Sequence, residues 1–285
     1  MSTTVDLDLP PGDSSAADRP PRPRRDLVRT LSRGIGQTLI TLGLVALLFV
    51  AYELWVTDAL AAREQQQLAE QIQEEWADAP VVEAPRTTEP EPAPADPAPQ
   101  PEPAPPAIDV GIGDPFAVLH IPGLSADYAR VIVEGVSQVE LQQGPGHYID
   151  TAMPGEPGNF AVAGHRVGHG APFLDLDRLL PGDPIVVETE THWFVYRVLG
   201  DPAAGSFTGD PSGIPGRQIV RPSDVQVISP TPGGPPDGPA GDAYMTLTTC
   251  HPKYSAQQRL IIHARLDGAP LSKATTPDGP AALGG

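Results

Sequence analysis

From Gly34 to Val56 the chain reads GIGQTLITLGLVALLFVAYELWV, and no charged residue interrupts it before Glu53. About 20 apolar residues suffice to cross a hydrocarbon layer of ~30 Å. Residues 34–56 are therefore predicted to form a transmembrane helix, with Tyr52 and Trp55 as interfacial aromatics at its far end. Residues 1–33 are polar and proline-rich, cannot pack a core, and read as a disordered tail. Arg19, Arg22, Arg24, Arg25, Arg29 and Arg33 make that tail basic and, by the positive-inside rule, cytoplasmic, which sends everything after residue 56 outside. A cleaved signal peptide is the competing reading, since Ala59-Leu60-Ala61 resembles a cleavage site. The length of the charged tail and the polar step from Glu53 to Asp58 weigh against it.

Beyond the apolar run, Leu60, Leu68, Ile72 and Trp76 recur at multiples of four among Glu and Gln, which predicts a solvated juxtamembrane helix over 57–78. Residues 79–107 collapse to Pro, Ala and Glu and cannot bury apolar surface. They favour polyproline II at ~3.1 Å per residue, an extracellular spacer reaching on the order of 90 Å. Residues 108–270 hold the folded domain. Short β-rich runs such as FAVLHI, ARVIVEGV, NFAVAG, HWFVYRVLG, AYMTLTTC and RLIIHARL alternate there with Pro/Gly/Asp turns, which predicts an all-β barrel or sandwich. FLDLDRLL reads as one short helix, and 271–285 as a second disordered tail. The formal net charge of -18 and the lack of a basic cluster after residue 33 exclude a nucleic-acid partner.

The chain has a single cysteine, Cys250, which is either an inert core residue or a reactive thiol. Alternation along 244–250 puts Met245 and Leu247 on one face and Thr246, Thr248 and Cys250 on the other. In 259–266, Arg259 likewise avoids the apolar face of Leu260, Ile262 and Ala264. If the two runs pair through the loop HPKYSAQQ, thiol and guanidinium lie side by side. A neighbouring cation favours the thiolate, and a fixed Arg can donate to an oxyanion. An ordinary hairpin with a surface Arg fits the same pattern. A cysteine nucleophile also needs a proton donor for its leaving amine. Seven histidines are available, and spacing does not select among them. His251 adjoins Cys250 but points to the opposite face, whereas His165 in NFAVAGHR ends an apolar strand before a Gly-rich loop, where side chains are presented.

Taken together, TLTTC ending at Cys250, Arg259 in QQRLIIHARL, and GPGHYIDTAMPGEPGNFAVAGHR with His165 resemble the sortases, membrane-anchored cysteine transpeptidases, and most closely class E. The resemblance spans about Ala117 to Leu266. It implies an eight-stranded β-barrel with short helices and a ping-pong reaction on secreted proteins carrying a C-terminal LAxTG or LPxTG sorting signal. Cys250 would attack the Thr–Gly carbonyl, Arg259 stabilise the oxyanion and His165 protonate the departing amine. An amine of a lipid II-type peptidoglycan precursor would then resolve the thioacyl enzyme. The resemblance further implies that Tyr128 contacts the second substrate position, with barrel packing as its alternative, and that Thr248 and Thr249 line the cleft. Asp114-Pro115-Phe116 is similar to the lid motif of pilin-polymerising sortases but abuts the first strand, so it is read as coincidence. No cofactor is expected, and the acidic residues show no calcium-ligand pattern. A pilin polymerase and a catalytically silent wall-spanning module remain as alternative functions.

Overall fold

A computed structural model of the protein describes residues 25–52, 57–78 and 105–284, in two units divided at Val50/Ala51. In the first unit, helix α1 runs from Arg25 to Ala51. It starts inside the stretch expected to be a disordered tail, because no proline follows Pro23 until Pro80 and the arginines there tolerate helical geometry. Residues 1–24 of that tail and 79–104 of the expected spacer lie outside the described residues. Val28–Val50 is long and apolar enough to cross a membrane. Its leucines and valines are exposed among the described residues, Leu47 being 69% exposed.

The second unit is a closed barrel. Its strands are β1 (Pro115–His120), β2 (Ala129–Glu134), β3 (Gly146–His147), β4 (Gly158–Ala163), β5 (Pro184–Glu188), β6 (His192–Val198), β7 (Arg217–Val220), β8 (Ala243–His251), β9 (Gln258–Leu266) and β10 (Leu271–Ser272). The sheet order is β10-β6-β5-β1-β2-β3-β4-β8-β9-β7, and β6 also pairs with β9, opposite Ala264 to Leu266. That pairing closes β6, β5, β1, β2, β3, β4, β8 and β9 into the expected eight-stranded ring, with β7 and β10 as outer additions. Inward residues follow the period of two. Phe160 and Val162 of β4, Met245 and Leu247 of β8, and Leu260 and Ile262 of β9 meet Phe194 and Tyr196 of β6 in one core. Burying each such side chain contributes about 1.5–3 kcal/mol. Phe116 belongs to the same core, so the DPF triplet simply starts the first strand.

Two expectations are corrected here. Residues 57–78 do form a helix, α2 (Thr57–Asp78), but it is docked on the barrel rather than solvated. β3 is only two residues long, and its register reaches β2 only at Val133 and Glu134, so the β2 backbone at Val131 faces an open edge. The Gln65 amide fills it: Val131 N donates to Oε1 at 2.8 Å, and Nε2 donates to Val131 O at 3.2 Å and Gln143 O at 2.7 Å. Ala61 and Ile72 are buried, and Lys273 Nζ sits 4.0 Å above the Trp76 ring. The expected tail from residue 271 likewise packs on the barrel. Leu271–Ser272 adds β10 to the free edge of β6, Trp193 Nε1 donates to Thr276 O, and Lys273 pairs with Glu188 at 2.7 Å. Helix α3 spans Gln138–Gln143, and the short helix expected in FLDLDRLL is a 3-10 turn at Leu176–Arg178.

Candidate active site

Strand β8 brings Cys250 to one end of the barrel wall, and β9 returns antiparallel to it with Arg259 directly opposite Cys250. On the other side β4 runs parallel to β8, in register up to Ala163 against Thr248. The pairing continues one step further, since Gly164 N donates to Thr248 O at 3.1 Å. Thr249 Oγ1 donates in turn to Gly164 O at 2.7 Å. His165 therefore leaves β4 at the level of Cys250. Its parity is that of Ala161 and Ala163, the face shared with Thr246, Thr248 and Cys250. With neighbouring strands ~4.8 Å apart, the backbone stretches that carry His165, Cys250 and Arg259 lie side by side at one end of the barrel wall.

The local sequence explains each placement. Gly164 lets the Phe173 ring lie flat on the strand end, where a Cβ would fall 2.6 Å from it, and Phe173 N donates to His165 O at 3.0 Å. The buried Arg166 locks the following loop, Nε donating to Leu174 O at 2.7 Å and Nη2 pairing with Asp177 at 2.8 Å. Lys253, in the loop after Cys250, pairs with Asp175 of the His165 loop at 3.0 Å. Cys250 is partly accessible, so it is not sealed in the core. Arg259 Nη1 donates to Ala256 O at 2.9 Å and Gln258 O at 3.1 Å, and no described residue accepts from its Nε or Nη2.

The other histidines sort by environment. His120 pairs with Glu188 and His147 with Glu134. His192 contacts Thr191, and His263 is enclosed between Thr246 and Gln218. His251 follows Cys250 in β8, on the alternate face. His165 is half-buried beside His169, whose ring centroid lies 4.8 Å away. Burial, and then the His169 charge, hold the His165 imidazole below its ordinary value.

Sequence reasoning passed over His169, although its place four residues after His165 in a Gly-rich loop is a usable signal. It also passed over Gln65, for which the helical period carries no signal. Of the other singled-out residues, Tyr128 packs on the core and donates from its hydroxyl to Pro172 O, in the His165 loop, at 2.8 Å. Thr248 and Thr249 are both buried, the Thr248 hydroxyl 3.0 Å from that of Tyr148 and the Thr249 hydroxyl on Gly164 O. Among the described residues, no three His, Cys, Asp or Glu gather in a metal-binding arrangement.

Comparison with known proteins agrees with this arrangement. A family model described as "Sortase domain" matches residues 119–267. The chain is 32% identical to sortase SrtE2 of Streptomyces coelicolor over 86% of its own length and 85% of that relative's. This chain belongs to the sortase family. The sortase is also 37% identical to SrtE1 of the same organism over 85% of its length, a match that spans 59% of the SrtE1 chain. These relatives support class E within the family. The structure of the SrtF sortase from Corynebacterium diphtheriae superposes with a TM-score of 0.56 at 42% identity, covering 65% of the sortase chain and 98% of the solved one. The sortase family comprises cysteine transpeptidases, and in this chain the single cysteine, Cys250, lies opposite Arg259 across β8 and β9.

Proposed function

We propose that this sortase is a membrane-anchored transpeptidase that cuts an LAxTG- or LPxTG-type sorting signal between Thr and Gly and passes the protein to an amine of a peptidoglycan precursor of the lipid II type. The observation that carries the reading is the common level of His165, Cys250 and Arg259 on three adjacent strands. In the first half-reaction the Cys250 thiolate attacks the Thr carbonyl carbon, forming C–S. Arg259 donates to the resulting oxyanion. Collapse breaks C–N, and the departing glycine amine takes its proton from His165. In the second half-reaction the incoming amine attacks the thioester and gives its proton to His165, and the C–S bond breaks to return the thiolate. A lowered His165 value suits the second step, where a neutral imidazole must accept the proton. Tyr128, beside the His165 loop, is assigned to the second substrate position, and Thr248 and Thr249 to the floor under the scissile bond. Helix α1 anchors the chain with its N-terminus in the cytoplasm and the barrel outside, and protease added to intact protoplasts removes the barrel if so.

The test is product analysis of the full chain in detergent micelles with an LAxTG peptide and graded amine. Ligated product dominates at saturating amine, because a bound nucleophile supplies effective molarity that water lacks. Cys250→Ala and His165→Ala each abolish it. Cleaved acid as the main product at saturating amine, or turnover by Cys250→Ala, would overturn the mechanism.

A further inference from the structure

The mechanism above leaves His169 without a task, yet the backbone goes to unusual lengths to place it. Gly168, His169, Gly170 and Ala171 have φ of 69°, 50°, 71° and 38°, four consecutive residues in the left-handed region. His169 and Ala171 carry a Cβ there, and such conformations persist only where the surroundings impose them. The surroundings do so here. Ala171 N closes the reversal on Gly168 O at 2.8 Å, Phe173 is buried in the core, and Tyr128 holds Pro172 O. A Cβ on Gly170 would lie 3.3 Å from that of Ala61 in α2, so the docked helix backs the loop. The outcome is an imidazole tilted 33° to that of His165, with 4.8 Å between centroids.

We infer that His169 is a positioning residue for the sortase reaction, its ring laid against His165 to hold that imidazole in the orientation from which it serves Cys250. The inference rests on the reading of His165 as the proton-transfer residue. Two imidazoles in this contact do not both carry charge cheaply, so His169 also favours the neutral His165 that must receive a proton from the incoming amine. The ionisable groups nearest the contacts with this loop are Arg63 and Glu64 beside Ala61 of α2, Asp127, Tyr128 and Arg130 around the start of β2, Cys250, His251, Lys253 and Tyr254 at and after the end of β8, and Arg259 of β9. In the loop itself Arg166 is tied to Asp177, and Asp175 to Lys253. Among the described residues, the ring in contact with His165 is that of His169.

The experiment compares His169→Ala, His169→Gly and His169→Phe in the full chain, by steady-state transpeptidation across pH and by thermal unfolding. Glycine removes the ring while easing the left-handed backbone, so it decides if the alanine variant fails to fold. Ala and Gly are expected to lower kcat tenfold or more at unchanged KM for the peptide, and to move the acidic limb of kcat/KM upward toward the ordinary imidazole value. Phe keeps the ring plane and is expected to recover most of kcat but not the limb. Wild-type kcat and pH profile in the Gly variant, a Phe variant no faster than Gly, or a loss that merely tracks the unfolded fraction would each overturn the inference. His165→Ala runs alongside: if it is inactive while the His169 variants behave as wild type, the inference falls alone, and if it is active, the reading of His165 falls with it.

Discussion

The Thr249 hydroxyl donates to the Gly164 carbonyl at 2.7 Å, joining the strand that carries Cys250 to the strand that leads into His165. Both atoms are screened from water, Thr249 being 3% exposed. Thr249→Val keeps the shape and leaves the Gly164 carbonyl without this donor, at a cost of about 1–3 kcal/mol. Its expected signature is a lower unfolding temperature together with reduced turnover, because the two strand ends of the candidate site lose their side-chain tie. Thr249→Ser should restore both. Equal stability and turnover in wild type and Thr249→Val would show the tie to be dispensable.

Arg259 faces Cys250 in register and anchors only Nη1 on loop carbonyls. Lysine keeps the charge but cannot hold the loop and an oxyanion at once through a planar fork. Arg259→Lys is expected to lower kcat by about 10²–10³, the usual effect of removing one oxyanion donor, with the melting temperature nearly unchanged. Stopped or initial-rate transpeptidation kinetics measures the first and calorimetry the second. Near-normal kcat would make Arg259 an ordinary surface residue.

Gln65 satisfies both backbone groups of Val131 at an edge that β3 is too short to cover. Gln65→Leu leaves those groups buried beneath α2 without partners, each costing about 1–3 kcal/mol. The expected result is a lower denaturation midpoint in urea and faster proteolysis within 57–78. Because α2 also backs Gly170, a loss of kcat should accompany undocking. An unchanged midpoint and protease pattern would mean that α2 does not depend on this contact.

His263 is fully enclosed, with Thr246 on Nδ1 at 2.9 Å and Gln218 on Nε2 at 3.0 Å. The Gln218 amide donates to Nε2, so the neutral ring satisfies both neighbours and a second proton has no acceptor. Burial pushes this imidazole down to about 3, from an ordinary 6.5. Between those values the unfolded chain binds a proton that the folded chain does not. Stability from this group is therefore complete above pH 6.5 and is lost as pH falls toward 3, at up to about 1.4 kcal/mol per pH unit. Urea titrations between pH 7 and 4 should show a smaller slope for His263→Gln than for wild type. Identical slopes would refute the assignment.

Much of this protein follows from patterns that act over a few residues. The uncharged run through Leu47 and Phe49, the alternation of Met245 and Leu247 with Thr246 and Thr248, and the opposed placement of Cys250 and Arg259 are set by side-chain period and by the water that apolar groups avoid. Those local rules sufficed for the apolar helix, the β character of the domain and the hairpin of the candidate site. They do not reach across the chain. That β6 closes on β9 at Ala264 to Leu266 depends on barrel curvature summed over eight strands. That Gln65 docks α2, and that Leu271–Ser272 becomes a strand, depends on edges left open by distant short strands, which make polar or weakly apolar segments worth ordering. The position of His169 depends on four positive φ angles that only the packed loop enforces. In each case the deciding quantity is a backbone group or torsion whose partner lies far away in sequence, so tertiary structure alone could settle it.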